Sequence, residues 1–408
     1  MYSGLLLYID PGTGSMLFSI LIGLAAAGYF LLRTAMVRIK SLASGSARSA
    51  SCNHIPFVLY SEGNHYWNVF KPVLEEFELR GIPVQFFTSS DTDPVFSTNW
   101  NHIQAEYIGK GNRAYTRLNF LTADICLMTT PGLDVYQLKR SRGVKHYSHI
   151  LHSVDDATSY RLFGLDYFDS VLLSGEYQIE CIRELEKKRA IKQKELVVAG
   201  CPYLDVLSKR TTSKDPDAPF TVLVSPSWGP DALLTKFGEK LLEPLSKTGW
   251  RIIVRPHPQS VHSESDMLVS LQKRFPVSDS FLWDFSPDNH ETLRNSDVMI
   301  SDFSGIIFDF CFLFNRPFLY ANASFNDEIY DSSDCTEKPW KFRILSEIGM
   351  ELDESSFTTI SNVIESLCKD SVRADNRVNV RDTAWQFRGN SSSRIVDYLV
   401  SKQQELSC

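Results

Sequence analysis

Asp297-Val298-Met299-Ile300-Ser301-Asp302-Phe303-Ser304-Gly305-Ile306-Ile307-Phe308-Asp309-Phe310 reads as a short buried strand, a sharp polar turn and an apolar helix that starts at Gly305. This order aims backbone amides, hydroxyls and a carboxylate at one point. A helix start of this kind favours an anion, because its first amides have no partner inside the helix and the helix dipole is positive there. Upstream, Arg255-Pro256-His257-Pro258 closes another predicted strand, Arg251–Arg255. Its two prolines stiffen the turn and fix the guanidinium and the imidazole where the strand ends. Further upstream, His152 closes a third predicted strand, Val144–Leu151. Ser225-Pro226-Ser227-Trp228-Gly229 closes a fourth.

Around these turns, strands and helices alternate. Phe57–Ser61, Pro83–Thr88, Ala105–Ile108, Asp124–Thr129, Val144–Leu151, Ser170–Leu173 and Leu196–Ala199 read as strands. The polar, proline-bearing stretch Lys209–Pro219 then interrupts the pattern, and it restarts with strands at Thr221–Ser225, Arg251–Arg255, Phe281–Trp283, Val298–Ser301 and Pro317–Tyr320. Short apolar strands separated by helices imply parallel sheets. The expected fold class is α/β, with two Rossmann-like domains facing a cleft. The expected layout is a membrane anchor over 1–40, a small-residue linker over 41–54, a first Rossmann-like domain over 55–210, a second over 218–350 and a helical segment over 351–408. Ligands of such sheets bind beyond the carboxyl ends of the strands, where all four polar turns fall. Three polar strand ends facing one crevice suggest an enzyme acting on a nucleotide-linked donor.

Composition narrows the function. The 408 residues are 43% hydrophobic and 12% aromatic, enough for packed cores, and the net charge is -7, which gives no basic field for nucleic acid. The eight cysteines form no C-x-x-C pair and fall mostly in predicted strands or helices, as small buried hydrophobes in a reducing compartment would. Ser15–Leu32 (SMLFSILIGLAAAGYFLL) carries no charge, and about 18 residues is the lower limit for a spanning helix. Asp10 precedes it, and Arg33, Arg38, Lys40 and Arg48 follow. That polarity is the reverse of a cleaved signal peptide and leaves the rest of the chain in the cytoplasm.

At the candidate chemistry, His152 suits a general base, with Asp155 or Asp156 near enough to orient it. His257 suits a proton shuttle or a group that neutralises developing phosphate charge. Arg255, Ser225, Ser227, Ser301, Asp302, Ser304 and Gly305 are candidate donor-binding positions. A metal set of His146, His149 and His152 is disfavoured, because strand alternation splits them between faces; no metal and no cofactor is expected. Asp91-Thr92-Asp93 lies in a polar loop, and Gly109–Ala114 follows the wrong strand to be a dinucleotide fingerprint.

Taken in order, these residues resemble the CDP-glycerol glycerophosphotransferase family, the teichoic-acid primases and polymerases of bacteria. The likeness runs from about Ser148 to Leu399. It lies in Leu151-His152-Ser153, Ser225–Gly229, Arg255–Pro258, Asp297–Phe310 with Arg316-Pro317, and Gly389–Ile395. Departures are Val154-Asp155-Asp156 after His152, Gly229 where arginine is usual, and Gly305 where a second serine is usual. The resemblance implies a GT-B-like fold with His152 and His257 as the essential pair. It implies a CDP-linked donor whose pyrophosphate meets the Ser301–Gly305 turn and Arg255, and a lipid-linked glycan as acceptor. It also implies a place at the bacterial inner membrane, with the catalytic part in the cytoplasm. A GT-B glycosyltransferase using a nucleotide sugar, and a non-catalytic envelope-assembly scaffold, are the alternative readings.

Overall fold

In the first half of the chain, seven strands form one sheet whose residues alternate between two apolar layers. The computed structural model describes residues 55–321 and 327–408, with Gly28 and Tyr29 upstream. The strands are β1 (Phe57–Ser61), β2 (Val84–Thr88), β3 (Ile103–Tyr107), β4 (Thr122–Met128), β5 (Gly143–Ile150), β6 (Ser170–Leu173) and β7 (Glu195–Val198). On β1, Val58 and Tyr60 join one buried cluster while Phe57 and Leu59 join another. A strand buried on both faces needs helices on both sides, which is the parallel arrangement. Every pairing in the sheet is parallel, and the order is β3-β2-β1-β4-β5-β6-β7.

The second half repeats the plan with six strands, β8 (Thr221–Val224), β9 (Arg251–Val254), β10 (Phe281–Trp283), β11 (Val298–Ser301), β12 (Phe318–Ala321) and β13 (Met350–Leu352), in the order β10-β9-β8-β11-β12-β13. Val222 and Val224 face one core and Leu223 the other. The strand order reverses between β1 and β4 and between β8 and β11, and a crevice opens at the carboxyl end of each reversal. Lys209–Pro219 lies between the two sheets in sequence. The two halves also share apolar packing: Val154, Cys201 and Leu204 sit in one cluster with Met299, Ile307, Phe308 and Trp340.

Several elements were not expected. The helix Pro202–Arg210 opens on a proline at its first turn, where proline is tolerated although in sequence it reads as a break. The helix Trp340–Ile348 begins directly after Pro339, which stands at its N-cap. Strand β13 is only Met-Glu-Leu, too short for a period to show. The helix Ser391–Ser407 returns to the first sheet, where Ile395, Val396 and Leu399 pack with Phe57, Leu59 and Phe70. The apolar segment Ser15–Leu32 lies outside the described residues apart from Gly28 and Tyr29. Among the described residues, no helix is long and apolar enough to cross a membrane.

Candidate active site

The β11 turn is built around one carboxylate. Asp302 is 1% exposed. Its Oδ1 accepts the amides of Ser227 (2.9 Å) and Ser304 (3.1 Å), and its Oδ2 accepts the amide of Leu233 (2.9 Å). Leu233 opens the helix Leu233–Ser246, so Asp302 caps that helix from a neighbouring strand. Burial raises its pKa, and the three amides oppose that shift. The Ser301 hydroxyl donates to the Ser225 carbonyl at 2.6 Å. Ser301 and Asp302 thus lock the ends of β8 and β11 together, and the Ser227 side chain is buried beside the Asp302 carboxylate. Ser304 is half-buried and Gly305 caps the helix Ile306–Phe314. Gly229 has φ of 103°, a conformation costly for any side chain, so the usual arginine would be strained in this turn.

The β9 turn holds His257. The Gln259 amide donates to His257 Nδ1 at 3.1 Å, which assigns the proton of the neutral ring to Nε2. Burial lowers the His257 pKa, partly offset by the charge of Glu264. Glu264 also accepts the Gly229 amide at 3.2 Å, tying the β8 and β9 turns to each other. The Trp228 ring, 48% exposed, lies with its centroid 6.3 Å from that of His257. Arg255 is committed elsewhere: its guanidinium bonds Asp284 Oδ2 at 2.5 Å and the Ser286 carbonyl at 2.6 Å. Because β9, β8 and β11 are consecutive in the sheet, the strands that lead to His257 and Ser304 lie about 10 Å apart.

Across from these turns, the β5 end presents His152. Its Nδ1 faces the Tyr160 hydroxyl at 3.4 Å, and the same hydroxyl lies 3.0 Å from His149 Nε2. Its ring meets Tyr66 edge-on at 5.4 Å. Burial holds its pKa below the ordinary 6.5, with Asp155 pulling it up and His65 pushing it down, so the ring is neutral at neutral pH. A cavity of about 300 Å³ opens here, lined by His152, Ser153, Asp155, Asp156, Ser159 and Tyr160.

Neither neighbouring acid is bonded to His152. Asp156 accepts the amides of Trp340 (2.8 Å) and Lys341 (2.9 Å), capping a helix of the second half. Asp155 accepts from the Lys341 ammonium at 3.2 Å, and its Oδ2 approaches to 3.5 Å of the point where a side chain on Gly305 would begin. The His152 loop therefore meets the start of the helix Ile306–Phe314. Tyr160 and Lys341 had no signal in the sequence. Tyr160 comes from the loop after His152, and Lys341 lies in an element hidden behind Pro339. His146 and His149 bond different partners, Ser170 and Tyr160.

A model of the CDP-Glycerol:Poly(glycerophosphate) glycerophosphotransferase family matches residues 166–401, more than half of the chain, beginning downstream of His152. No curated protein matches. Among solved structures, a histidine-to-asparagine variant of the wall teichoic acid polymerase TagF with CDPG is similar at 13% identity and a TM-score of 0.56, over 92% of this chain and 98% of that one. A histidine-to-alanine variant of TagF is similar at 14% identity and a TM-score of 0.55, over 92% of this chain and 98% of that one. HepE of Anabaena, in complex with UDP and glucose, is similar at 10% identity and a TM-score of 0.50, over 85% of this chain and 100% of that one. These likenesses are of fold, the two-sheet GT-B-like arrangement.

Proposed function

Because this chain belongs to the CDP-glycerol:poly(glycerophosphate) glycerophosphotransferase family, we propose that it moves glycerol phosphate, or a similar polyol phosphate, from a CDP-linked donor to a hydroxyl of a lipid-linked or cell-envelope glycan. The observation that carries this reading is a neutral imidazole, His152, in a cavity lined by Asp155, whose carboxylate comes within 3.5 Å of the side-chain position of Gly305, the cap of the helix Ile306–Phe314. A base, a space for an acceptor and an anion-favouring helix end there adjoin one another.

In the reaction, the acceptor oxygen attacks the β-phosphorus of the donor. The bond from that phosphorus to the bridging oxygen breaks, and CMP leaves with the electron pair. His152 takes the hydroxyl proton. For that it needs a free Nε2, which follows if Nδ1–H donates to Tyr160 and the Tyr160 hydroxyl donates to His149. His257, with its proton on Nε2, donates to a phosphate oxygen, and the helix beginning near Gly305 offsets the charge that builds up. Ser301 and Asp302 act indirectly, by fixing the turn that holds these groups. Arg255 braces the β10 side through Asp284. The apolar segment Ser15–Leu32 would keep the enzyme on the cytoplasmic face of the bacterial inner membrane, next to a lipid-linked acceptor.

The test is CMP release by the full chain in detergent, from CDP-glycerol and a lipid-extract acceptor, beside His152→Ala and His257→Ala. Release by the wild type, lost in both variants, supports the proposal. Release of a sugar from UDP or GDP donors instead moves the protein to nucleotide-sugar chemistry. Donor binding without turnover on any acceptor leaves a scaffold.

A further inference from the structure

We infer that Cys181 and Cys335 form an oxidisable pair, which hydrogen peroxide converts into a disulfide that fastens the first half of the chain to the segment after β12. The contacts on either side place the pair. Cys181, Glu184 and Lys188 follow one another at spacings of three and four residues in the helix Ile179–Lys188, so they share one of its faces. Glu184 Oε1 accepts the Thr336 amide at 2.8 Å and also the Thr336 hydroxyl. The Lys188 ammonium donates to the Asp334 carbonyl at 2.7 Å. Cys335 stands between those two residues, and its thiol meets Cys181 across the same face as a hydrogen-bond partner. Just beyond the helix, Arg189 bonds Asp331 and Asp334 at 2.7 Å each. A disulfide forms only where two cysteines are already close, and these fastenings hold the two segments in that position.

The pair also differs from the cysteines of the cores. Cys126, Cys201 and Cys311 are buried, which pushes their thiols up and leaves them inert. Cys181 and Cys335 are half-buried. The hydrogen bond from Cys335 lowers the Cys181 pKa, and the charge of Arg343 acts the same way. Cys181 is therefore the nucleophile. Its thiolate attacks one oxygen of the peroxide, the O–O bond breaks, and hydroxide leaves and takes up a proton; Cys181 is then a sulfenic acid. The Cys335 sulfur attacks Cys181 Sγ, gives up its proton and displaces the hydroxyl group as water. The two thiols lose two electrons, and the peroxide ends as two waters. A thiol reductant reopens the bridge by exchange. Disulfides of the cytoplasm are of this transient kind.

Peptide mapping without reductant, after peroxide treatment of the full chain in detergent, tests this. The expected product is a peptide pair joined through Cys181 and Cys335 and separated again by dithiothreitol. It should exceed any link from either residue to the exposed Cys368 or Cys408. The bridge spans a long stretch of chain, so the oxidised protein should melt about 5 °C above the reduced one, a rise absent from Cys335→Ser. That variant cannot close the bridge, and peroxide should leave it with a sulfenic acid at Cys181 that dimedone captures. Oxidation of Cys368 and Cys408 without a Cys181–Cys335 link overturns the inference. So does a link that forms as readily in urea-unfolded chain as in the folded protein, or one that leaves Tm unchanged.

Discussion

His152 keeps its imidazole among Tyr66 and Tyr160, and that enclosure determines how it titrates. Burial holds its pKa below 6.5, so the acid limb of a kcat/KM profile is expected below pH 6.5, and His152→Ala is expected to lower kcat by about 10²–10⁴ while donor binding persists. Tyr160→Phe removes the hydroxyl that orients Nδ1. It should lower kcat about tenfold, a cost of about 1.4 kcal/mol in barrier, with the limb displaced and the KM for donor unchanged; an unchanged profile would detach Tyr160 from the base. His149, behind Tyr160, is held neutral down to about pH 3 by burial. An unfolded chain protonates it near 6.5, so unfolding takes up a proton between those values, and stability falls by about 1.4 kcal/mol for each unit of pH lost in that window. Urea unfolding of the wild type and His149→Asn at pH 7 and pH 5 checks this: the wild type should lose the more stability by about 2 kcal/mol. At this scale the sequence exposes His152 and His257 because each ends a strand beside turn-forming residues. It hides Tyr160 and Lys341 because their roles depend on where loops return in space.

The turn after β11 acts as one element with the turn after β8. Asp302 collects three amides from two segments, so Asp302→Ala leaves donors without acceptors in a buried place and is expected to cost about 2–4 kcal/mol, measured as a lowered urea midpoint. Ser301→Ala gives up a single bond and should cost about 1 kcal/mol. A loss in Asp302→Ala no greater than in Ser301→Ala would mean that other bonds hold the turn. Both residues stand in the sequence as candidate ligand contacts, and the structure gives their polar atoms to the backbone instead. Residue type marks the turn correctly, but it does not tell a group that touches a ligand from one that shapes the loop around it. The strands are legible for a simpler reason. Val58-Leu59-Tyr60 and Met299-Ile300 are apolar on both faces, which only a covered parallel strand requires. Pro202 and Pro339 disguise helices because proline interrupts a pattern in sequence yet opens a helix in space.

Two long-range fastenings hold the molecule together. Arg189, with a side chain 8% exposed, joins Asp166, Asp331 and Asp334, which ties the segment after β12 to the first half. Asp205 accepts from Trp385 Nε1 (2.9 Å) and from the amides of Gly389 (2.8 Å) and Ser391 (3.1 Å). It thereby holds the start of the Gly389–Ile395 stretch against the helix Pro202–Arg210. Asp205→Ala is expected to cost about 2–4 kcal/mol and to open protease cleavage between Trp385 and Ser391; resistance there would place the anchor elsewhere. The sequence divides the chain into consecutive domains, and periodicity carries no sign that the last helix belongs against the first sheet. That return also sets a timetable for synthesis. Ile395, Val396 and Leu399 complete a core begun at Phe57, so the nascent first half leaves the ribosome with an open apolar groove. At about 5–20 residues per second, the groove waits roughly 10–40 s for its final helix, and over that interval a holding chaperone has a natural place to bind.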